Sequence, residues 1–503
     1  MTDIANDVND ANDVNDVNDG DGSSGIALVE SVDGLRTRWP HHSAHVVLTR
    51  AQRICLLAAA VLIVSALLGW TIATLQVLTA AITVLYGSVI AFRIALVWAA
   101  GRHEQRVQIG DEEARAVPEH ELPVYTVLVP AYREPEVIGL LMRNLAALDY
   151  PTRKLDVKLL LEADDQETIA AARAALPGPH VQIVVVPPAA PRTKPKACNY
   201  GLQFARGELV TIYDAEDRPE PLQLRRAVVA MRRLGPSFVC LQAELAYFNT
   251  DQNRITRWFT IDYATWFRSL LPGLVALGMP IPLGGTSNHF RTEALRRLGA
   301  WDPYNVTEDA DLGIRLARLG YRVGVLDSVT LEEANSDFIN WVKQRSRWYK
   351  GYLVTWLVHT RSPLETARQL GWRGLLCLVL FVAGTPVTAL LNAVFWAMTL
   401  AWFVAQPPIV EELFLPPFYY LGLICLVLGN ATVVYLDVLA VRQIGRPDLL
   451  GTALMTPAYW VMMSIAGAKA LLQLAFHPSY WEKTTHGLHL ARMPGEPVSA
   501  HAE

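Results

Sequence analysis

The chain has 503 residues, of which 52% are hydrophobic and 18% charged. With positive mean hydropathy, that balance favours a membrane protein carrying a soluble part over a string of soluble domains. Residues 1–22 hold seven aspartates and no lysine or arginine; without them the formal net charge of −4 becomes +3, which leaves no strongly basic surface to argue for a nucleic-acid partner.

Residues 1–25 repeat Asn-Asp-Val/Ala/Gly and are too polar to bury a core, so an unstructured acidic tail is expected there. The negative charge and the missing apolar core exclude a signal peptide. Between Arg53 and Arg93 lie 39 residues without a charge, enough for two membrane helices within 51–98, with the turn at Gly69-Trp70-Thr71. Arg50, Arg53, Arg93 and Arg102 flank the pair, which puts both ends on the cytosolic side. Five scattered cysteines, odd in number and without metal spacing, give no disulfide framework and suit a reducing face.

From Pro123 to about residue 335 the pattern is that of a soluble α/β domain. Apolar runs at 124–130, 157–165, 181–187 and 209–213 read as strands, separated by helical segments, which predicts a mostly parallel, Rossmann-like sheet with helices on both faces. Three of these strands empty into residues able to touch a ligand: Tyr132 and Glu134, then Glu162 and Asp164, then Asp214 and Glu216. Strand C-termini converge at one edge of such a sheet. Asp214 and Glu216 lie two apart on an extended chain and suit oxygen ligation of Mg²⁺ or Mn²⁺. Further on, the Gly284-Gly285 pair allows close approach of a ligand to the backbone. Asp309 opens an amphipathic helix that Thr307 is placed to cap, with Glu308 and Asp309 facing its dipole.

Residues 336–371 read as interfacial helices, with Trp341, Trp348 and Trp356 on one stripe among Lys343, Arg345, Arg347 and Lys350. Two more spans fall within 374–441, and their connecting loop, which lacks Lys and Arg, reads as external. The stretch 449–476 carries Pro457, Ser464, Lys469 and Gln473 and reads as a helix lying in the interface, for a total of four spans. A polar stretch at 479–490 and a tail at 491–503 follow.

The motifs VPAYREP, LLLEADD, KPKACN, DAED, LGGTS, TED and QRSRW stand in this order, with Asp309 and Gln344 35 residues apart. In this the chain resembles the membrane-embedded family 2 glycosyltransferases of the cellulose, hyaluronan and curdlan synthase kind, from about Pro123 to Gly487. The resemblance implies a cytosolic GT-A domain inserted between transmembrane helices in a plasma (inner) membrane. It implies inverting transfer from a nucleotide sugar, UDP-linked, to a growing β-linked glycan that the protein helps across the bilayer, with export proteins as partners. Asp309 would be the general base, and Asp214 and Glu216 would hold Mg²⁺ or Mn²⁺ on the diphosphate. Tyr132, Glu134 and either Glu162 or Asp164 would bind the nucleoside, with Lys196 near the phosphates. Gly284, Gly285, Thr307, Glu308 and Gln344 belong to the same motifs; Arg345 and Arg347 would reach diphosphate oxygens, and Trp348 would stack on the acceptor sugar.

Trp481, Thr484 and His486 resemble the gating loop of cellulose synthases. Glu216 stands where the family usually has Asp, and Gly284 where cellulose synthases usually have Cys. A single-transfer enzyme acting on a lipid, like the ceramide glucosyltransferases, is the alternative. A transporter or inactive scaffold would lack the strand-end acids, and all of them are present.

Overall fold

The structure, a computed structural model, describes residues 22–102, 105–175, 178–478 and 480–482. Most of the acidic repeat, Thr484, His486 and the tail 491–503 thus lie outside the described residues. A helix, Gly22–Arg38, begins within the stretch expected to lack structure. Its own sequence is only weakly amphipathic. It packs on the helix Lys194–Gln203, where Asn199 Nδ2 donates to the Ser31 carbonyl oxygen at 3.1 Å.

Nine strands form one mixed sheet. They are β1 (Arg106–Val107), β2 (Tyr125–Ala131), β3 (Leu155–Glu162), β4 (Val181–Val186), β5 (Leu209–Ile212), β6 (Arg218–Pro219), β7 (Phe238–Tyr247), β8 (Asn288–Arg291) and β9 (Arg322–Glu332). The order is β1-β9-β7-β8-β5-β2-β3-β4, with β6 paired to β9. The four strands read from sequence are β2 to β5, and they are the parallel half. The other half is mixed: β8 runs antiparallel to β5 and β7, and β7 runs parallel to β9.

Alternation along the strands divides the core in two. Leu128 and Leu160 face one layer with Phe267, Leu271 and Phe290; Val127, Val129, Leu159 and Leu161 face the other with Leu141, Leu145 and Leu224. Strands β3 and β4 extend from β2 on one side and β5 lies on the other, so the winding direction reverses between β2 and β5. Sheets of this kind open a crevice there, beyond the strand C-termini. Tyr132 follows β2 and Asp214 follows β5 closely, which puts both at that crevice.

The core layer holding Leu128 also takes in Phe92 and Leu96 from the helix Thr71–Ala100 and Cys377, Leu378 and Phe381 from a π-turn, so the sheet domain and the apolar helices share one interior. Among the described residues five helices are long and apolar enough to cross a membrane: Arg50–Gly69, Thr71–Ala100, Pro363–Ala405, Pro416–Gln443 and Thr456–Phe476. The first is started by a capping box, Gln52 N–H donating to Thr49 Oγ1 at 3.2 Å and Thr49 N–H to Gln52 Oε1 at 3.0 Å. The fifth is the stretch expected to lie in the interface. Its polar residues have partners within the fold, with Ser464 donating to the Ala389 carbonyl oxygen at 2.6 Å, and Lys469 and Gln473 each holding Glu482 at 2.8 Å. Pro457 stands in its first turn, where the missing N–H has no partner to lose.

The helix Phe338–His359 differs from an interfacial helix with a bare tryptophan stripe. Trp341 is fully buried, and Trp348 and Trp356 are half-buried. Their stripe packs inward, Trp341 on Tyr459 (ring centroids 5.2 Å apart) and Trp348 on Phe259 (5.8 Å).

Candidate active site

The turn after β5 is shaped by an acid that the sequence reading passed over. Asp217 is buried and accepts from the Asp214 N–H at 2.8 Å and from the Thr286 hydroxyl. That bond folds the turn so that Asp214 and Glu216 line a cavity of about 580 Å³, within the range of small-ligand sites. Glu332, at the end of β9, lines the same cavity. Burial and the charges of Asp217, Asp214 and Glu216 hold the Glu332 carboxyl well above the usual carboxylate range.

At the end of β2, Tyr132 and Glu134 line the cavity beside Glu162 from β3. Arg133 between them has φ +56°, an unusual backbone for arginine, pinned by its N–H donating to Asp165. The Glu134 N–H donates to Thr168 Oγ1 at 3.2 Å. Asp164 lies behind this edge, 3.5 Å from the Tyr132 hydroxyl and ion-paired with Arg192. Lys196, expected near the phosphates, does not line the cavity: it is fully buried and donates to Glu162 Oε2 at 2.8 Å. The lysine in the cavity is Lys194, whose ammonium bridges Asp214 and the Gly285 carbonyl oxygen, the latter at 2.9 Å.

Asp309 lies in the first turn of the helix Glu308–Arg318, and its Oδ1 accepts from the Ala310 N–H at 2.8 Å. Thr307 sits at the N-cap without making the expected capping bond; its hydroxyl is buried against Gly351 and has no hydrogen-bond partner among the described residues. Gly285 faces this helix, whereas Gly284 faces Leu245, Phe267 and Gln242. A Cβ on Gly285 would lie 3.5 Å from Asp309 Oδ2, so the bare backbone leaves room beside the carboxylate. Burial raises both neighbouring carboxyls. Asp309 is pushed up to about 6, with Lys194 and Arg347 pulling the other way. Glu308 is pushed up to about 8, with Asp309 adding to the rise.

The two arginines of QRSRW separate. Arg347 lines the cavity on the side of Glu308, Asp309 and Asp214; its Nε is buried with no hydrogen-bond partner among the described residues, and its guanidinium lies over Trp481 at 4.6 Å. Arg345 lines another part of the same cavity, where it pairs with Asp262 and donates to the Tyr459 hydroxyl at 3.1 Å, with Trp348 under it at 4.8 Å. Gln344 accepts from Asn335 Nδ2 at 2.8 Å and lines the cavity with Trp348 and Trp481.

The cavity continues into the apolar helices, where Tyr86, Asn392, Asn430 and Asp437 stand in its wall among apolar side chains such as Val89, Ile90, Val433 and Leu436. The Tyr86 hydroxyl lies 2.7 Å from Asn392 Oδ1 and 3.2 Å from Asn430 Oδ1. Asp437 accepts from Thr265 at 3.0 Å and from Thr456 at 2.9 Å. Each of these was legible only as a lone polar residue inside an apolar run, a signal that deserves a functional reading by default.

Whether these residues suit a divalent cation can be judged from the donors. Asp214 and Glu216 offer carboxylate oxygens only, the set for Mg²⁺ or Mn²⁺. Beside them the Asp217 carboxyl, like that of Glu332, is held above the usual carboxylate range by burial and by its acidic neighbours, and Asp217 Oδ1 has no hydrogen-bond partner among the described residues. The residues fit such an ion. Among the described residues no group of three or more His, Cys, Asp or Glu is arranged to hold one alone, so further ligands would come from substrate oxygens and water.

This is a GT-A-type sheet with its ligand edge at the switch point, flanked by long apolar helices. Residues 209–405 match the family described as Glycosyl transferase family group 2. It is 25% identical over 234 residues to a probable glycosyltransferase, YdaM, of Bacillus subtilis, covering 46% of this chain and 56% of that one. It is 29% identical over 264 residues to a beta-monoglucosyldiacylglycerol synthase of Synechocystis sp., covering 51% of this chain and 54% of that one. The chain spans about half the length of the curated relatives it matches. In fold it is similar to a mannosyltransferase of Pyrobaculum calidifontis solved with GDP-Man and Mn²⁺, with a TM-score of 0.51 at 19% identity, covering 79% of this chain and 99% of that one.

Proposed function

We propose that this protein transfers a sugar from a nucleotide sugar, with inversion, to a glycan acceptor that extends from the cavity into the apolar helices. The observation that carries the reading is the continuity of one cavity. It joins the strand-end acids, Asp309 and Arg347 to an interior where the linked polar groups of Tyr86, Asn392 and Asn430 stand among apolar side chains. A hydroxyl-rich chain has use for such a lining inside an apolar bundle, and a hydrocarbon has none.

In this reading Tyr132, Glu134 and, of the two alternatives, Glu162, which lines the cavity where Asp164 does not, hold the nucleoside, and Arg347 meets the diphosphate with paired donors. Asp214 and Glu216 would hold the divalent ion, which when bound neutralises the leaving diphosphate. Asp309 takes the acceptor hydroxyl proton at its carboxylate as the oxygen attacks; a carboxyl already raised toward neutrality by burial is the stronger base. Glu308, raised further, stays protonated beside it near neutral pH, which avoids two adjacent buried charges. Trp348 offers a flat face to the acceptor sugar. Trp481, resting on Arg347, would close the donor side, and it excludes water there. The reading includes a multi-pass position in a plasma (inner) membrane with the sheet domain cytosolic, UDP as the donor nucleotide, and export proteins as partners.

A second reading, single transfer to a lipid, is favoured by the relative named beta-monoglucosyldiacylglycerol synthase. The test is purified protein in lipid nanodiscs with Mn²⁺ and a panel of labelled UDP- and GDP-sugars, followed by sizing of the product. A ladder of hydrophilic β-glycan supports the first reading, and one extractable glycolipid supports the second. Release of no nucleoside diphosphate from any donor would contradict both.

A further inference from the structure

Among the described residues the cavity is lined by one lysine, and it is bound to a residue that the mechanism requires elsewhere. Lys194 is the first residue of the helix Lys194–Gln203, with Pro195 after it. Its ammonium donates to Asp214 Oδ1 and, at 2.9 Å, to the Gly285 carbonyl oxygen. Gly285 in turn is the residue facing Asp309. The side chain of Lys194 keeps 20% of its exposure and that of Asp214 keeps 34%, so the pair sits at the cavity wall and not in the core. Lys196 makes the contrast plain: it has no exposure and holds a carboxylate that stays in place.

A divalent ion on Asp214 would stand about 2.0–2.6 Å from a carboxylate oxygen. An ammonium at hydrogen-bonding distance from the same carboxylate would then face the ion across a few ångströms with nothing between them. Like charges at that range repel strongly even with substantial screening. Both cannot use Asp214 at once. Lysine is the side chain suited to leaving, being a point charge on a flexible four-carbon stem.

We propose that Lys194 is a tethered cation that occupies Asp214 in the donor-free protein and is displaced from it when the metal arrives, turning to the donor diphosphate. This rests on the reading of Asp214 as a metal ligand. Two consequences follow. The divalent ion binds weakly alone and enters together with the nucleotide, whose diphosphate gives the displaced ammonium an acceptor in place of the carboxylate. The displaced lysine then adds positive charge where the leaving group gathers negative charge, a contribution that the carboxylate-bound state withholds. When the nucleoside diphosphate departs, Lys194 returns to Asp214 and competes with the metal left behind, so the device also favours metal release with product.

The test is Mn²⁺ alone, titrated into the full chain in nanodiscs and followed by the electron paramagnetic resonance of free Mn²⁺. Lys194→Met keeps the stem and removes the competing charge; Lys194→Gln is the second variant, and near-native melting temperatures establish that each is folded. Both variants are expected to bind Mn²⁺ on the order of tenfold more tightly than the parent, the scale of one lost, partly buried ion pair. Lys194→Arg is expected to bind as weakly as the parent. Adding Asp214→Asn to Lys194→Met should abolish the gain. Unchanged or weaker Mn²⁺ binding in both folded variants overturns the proposal, even if Asp214→Asn alone weakens binding and so leaves the metal assignment intact. A gain that survives Asp214→Asn overturns the metal assignment itself, and the proposal with it.

Discussion

Gly313→Ala is the substitution that most directly tests how the base is held. Gly313 lies mid-helix, one turn after Asp309, and by helix propensity alone alanine there should stabilise by about 1 kcal/mol. The packing opposes this. A Cβ on Gly313 would fall far inside contact distance of the Ile281 carbonyl oxygen, 3.0 Å from the Ile281 carbonyl carbon and 3.2 Å from Leu283 N. These are backbone atoms, so no side chain can turn aside. The segment they belong to leads straight into Gly284 and then Gly285, which faces Asp309. Overpacking of this kind costs about 1–3 kcal/mol, so the variant should be level with the parent or up to about 2 kcal/mol less stable. The helix and the glycine loop must separate by roughly 1 Å, and a misplacement of that size can lower turnover by about 100-fold. Thermal melts in detergent, donor binding and sugar transfer on one preparation check this. A variant that melts higher than the parent and transfers at the parent rate would refute the argument that close packing of helix against loop sets the position of Asp309.

The two arginines should separate experimentally: Arg347→Ala should weaken UDP binding by about 10- to 100-fold, the worth of a charge-assisted hydrogen bond. Arg345→Ala should instead lower the melting temperature, because it leaves Asp262 without its cation. With Asp309 as base, transfer requires its ionised form; its pKa of about 6 then means kcat/KM flat above about pH 7 and falling about tenfold per unit below 6, measured at fixed ionic strength. Excess chelator should abolish transfer and added Mn²⁺ or Mg²⁺ restore it, with Asp214→Ala weakening retention of the nucleoside diphosphate. Cysteine placed at Gln406 should react with an impermeant reagent from outside the cell and cysteine at Gln443 should not; the reverse would overturn the proposed orientation.

What the sequence revealed followed from period and position. Strands β2, β3 and β5 are apolar runs that lead into acids, so their existence and their ligand-bearing ends were legible together. Strands β7 and β9 belong to the same sheet but were not read as strands, so Glu332 went unnoticed although it ends its strand as Asp214 does. Pairs two apart on a helix were harder. Lys194 and Lys196, like Arg345 and Arg347, point to nearly opposite sides at 3.6 residues per turn. Only the rotation of the helix against its neighbours decides which partner each member meets. The tryptophan stripe failed for a related reason, because amphipathicity shows that a face is covered without showing by what. Tyr459 and Phe259 cover it, from segments distant in sequence. The helix Gly22–Arg38 owes its contacts to tertiary packing and left no periodic trace.

The central claim is that Asp309 is the base for glycosyl transfer in this cavity. Its most direct test is Asp309→Asn, assayed for nucleotide binding and for sugar transfer on the same nanodisc preparation with the donor that the panel identifies. The account predicts nucleoside diphosphate affinity within a few-fold of the parent, an unchanged fold, and transfer lower by about 100-fold or more. Transfer near the parent rate in that variant would contradict it.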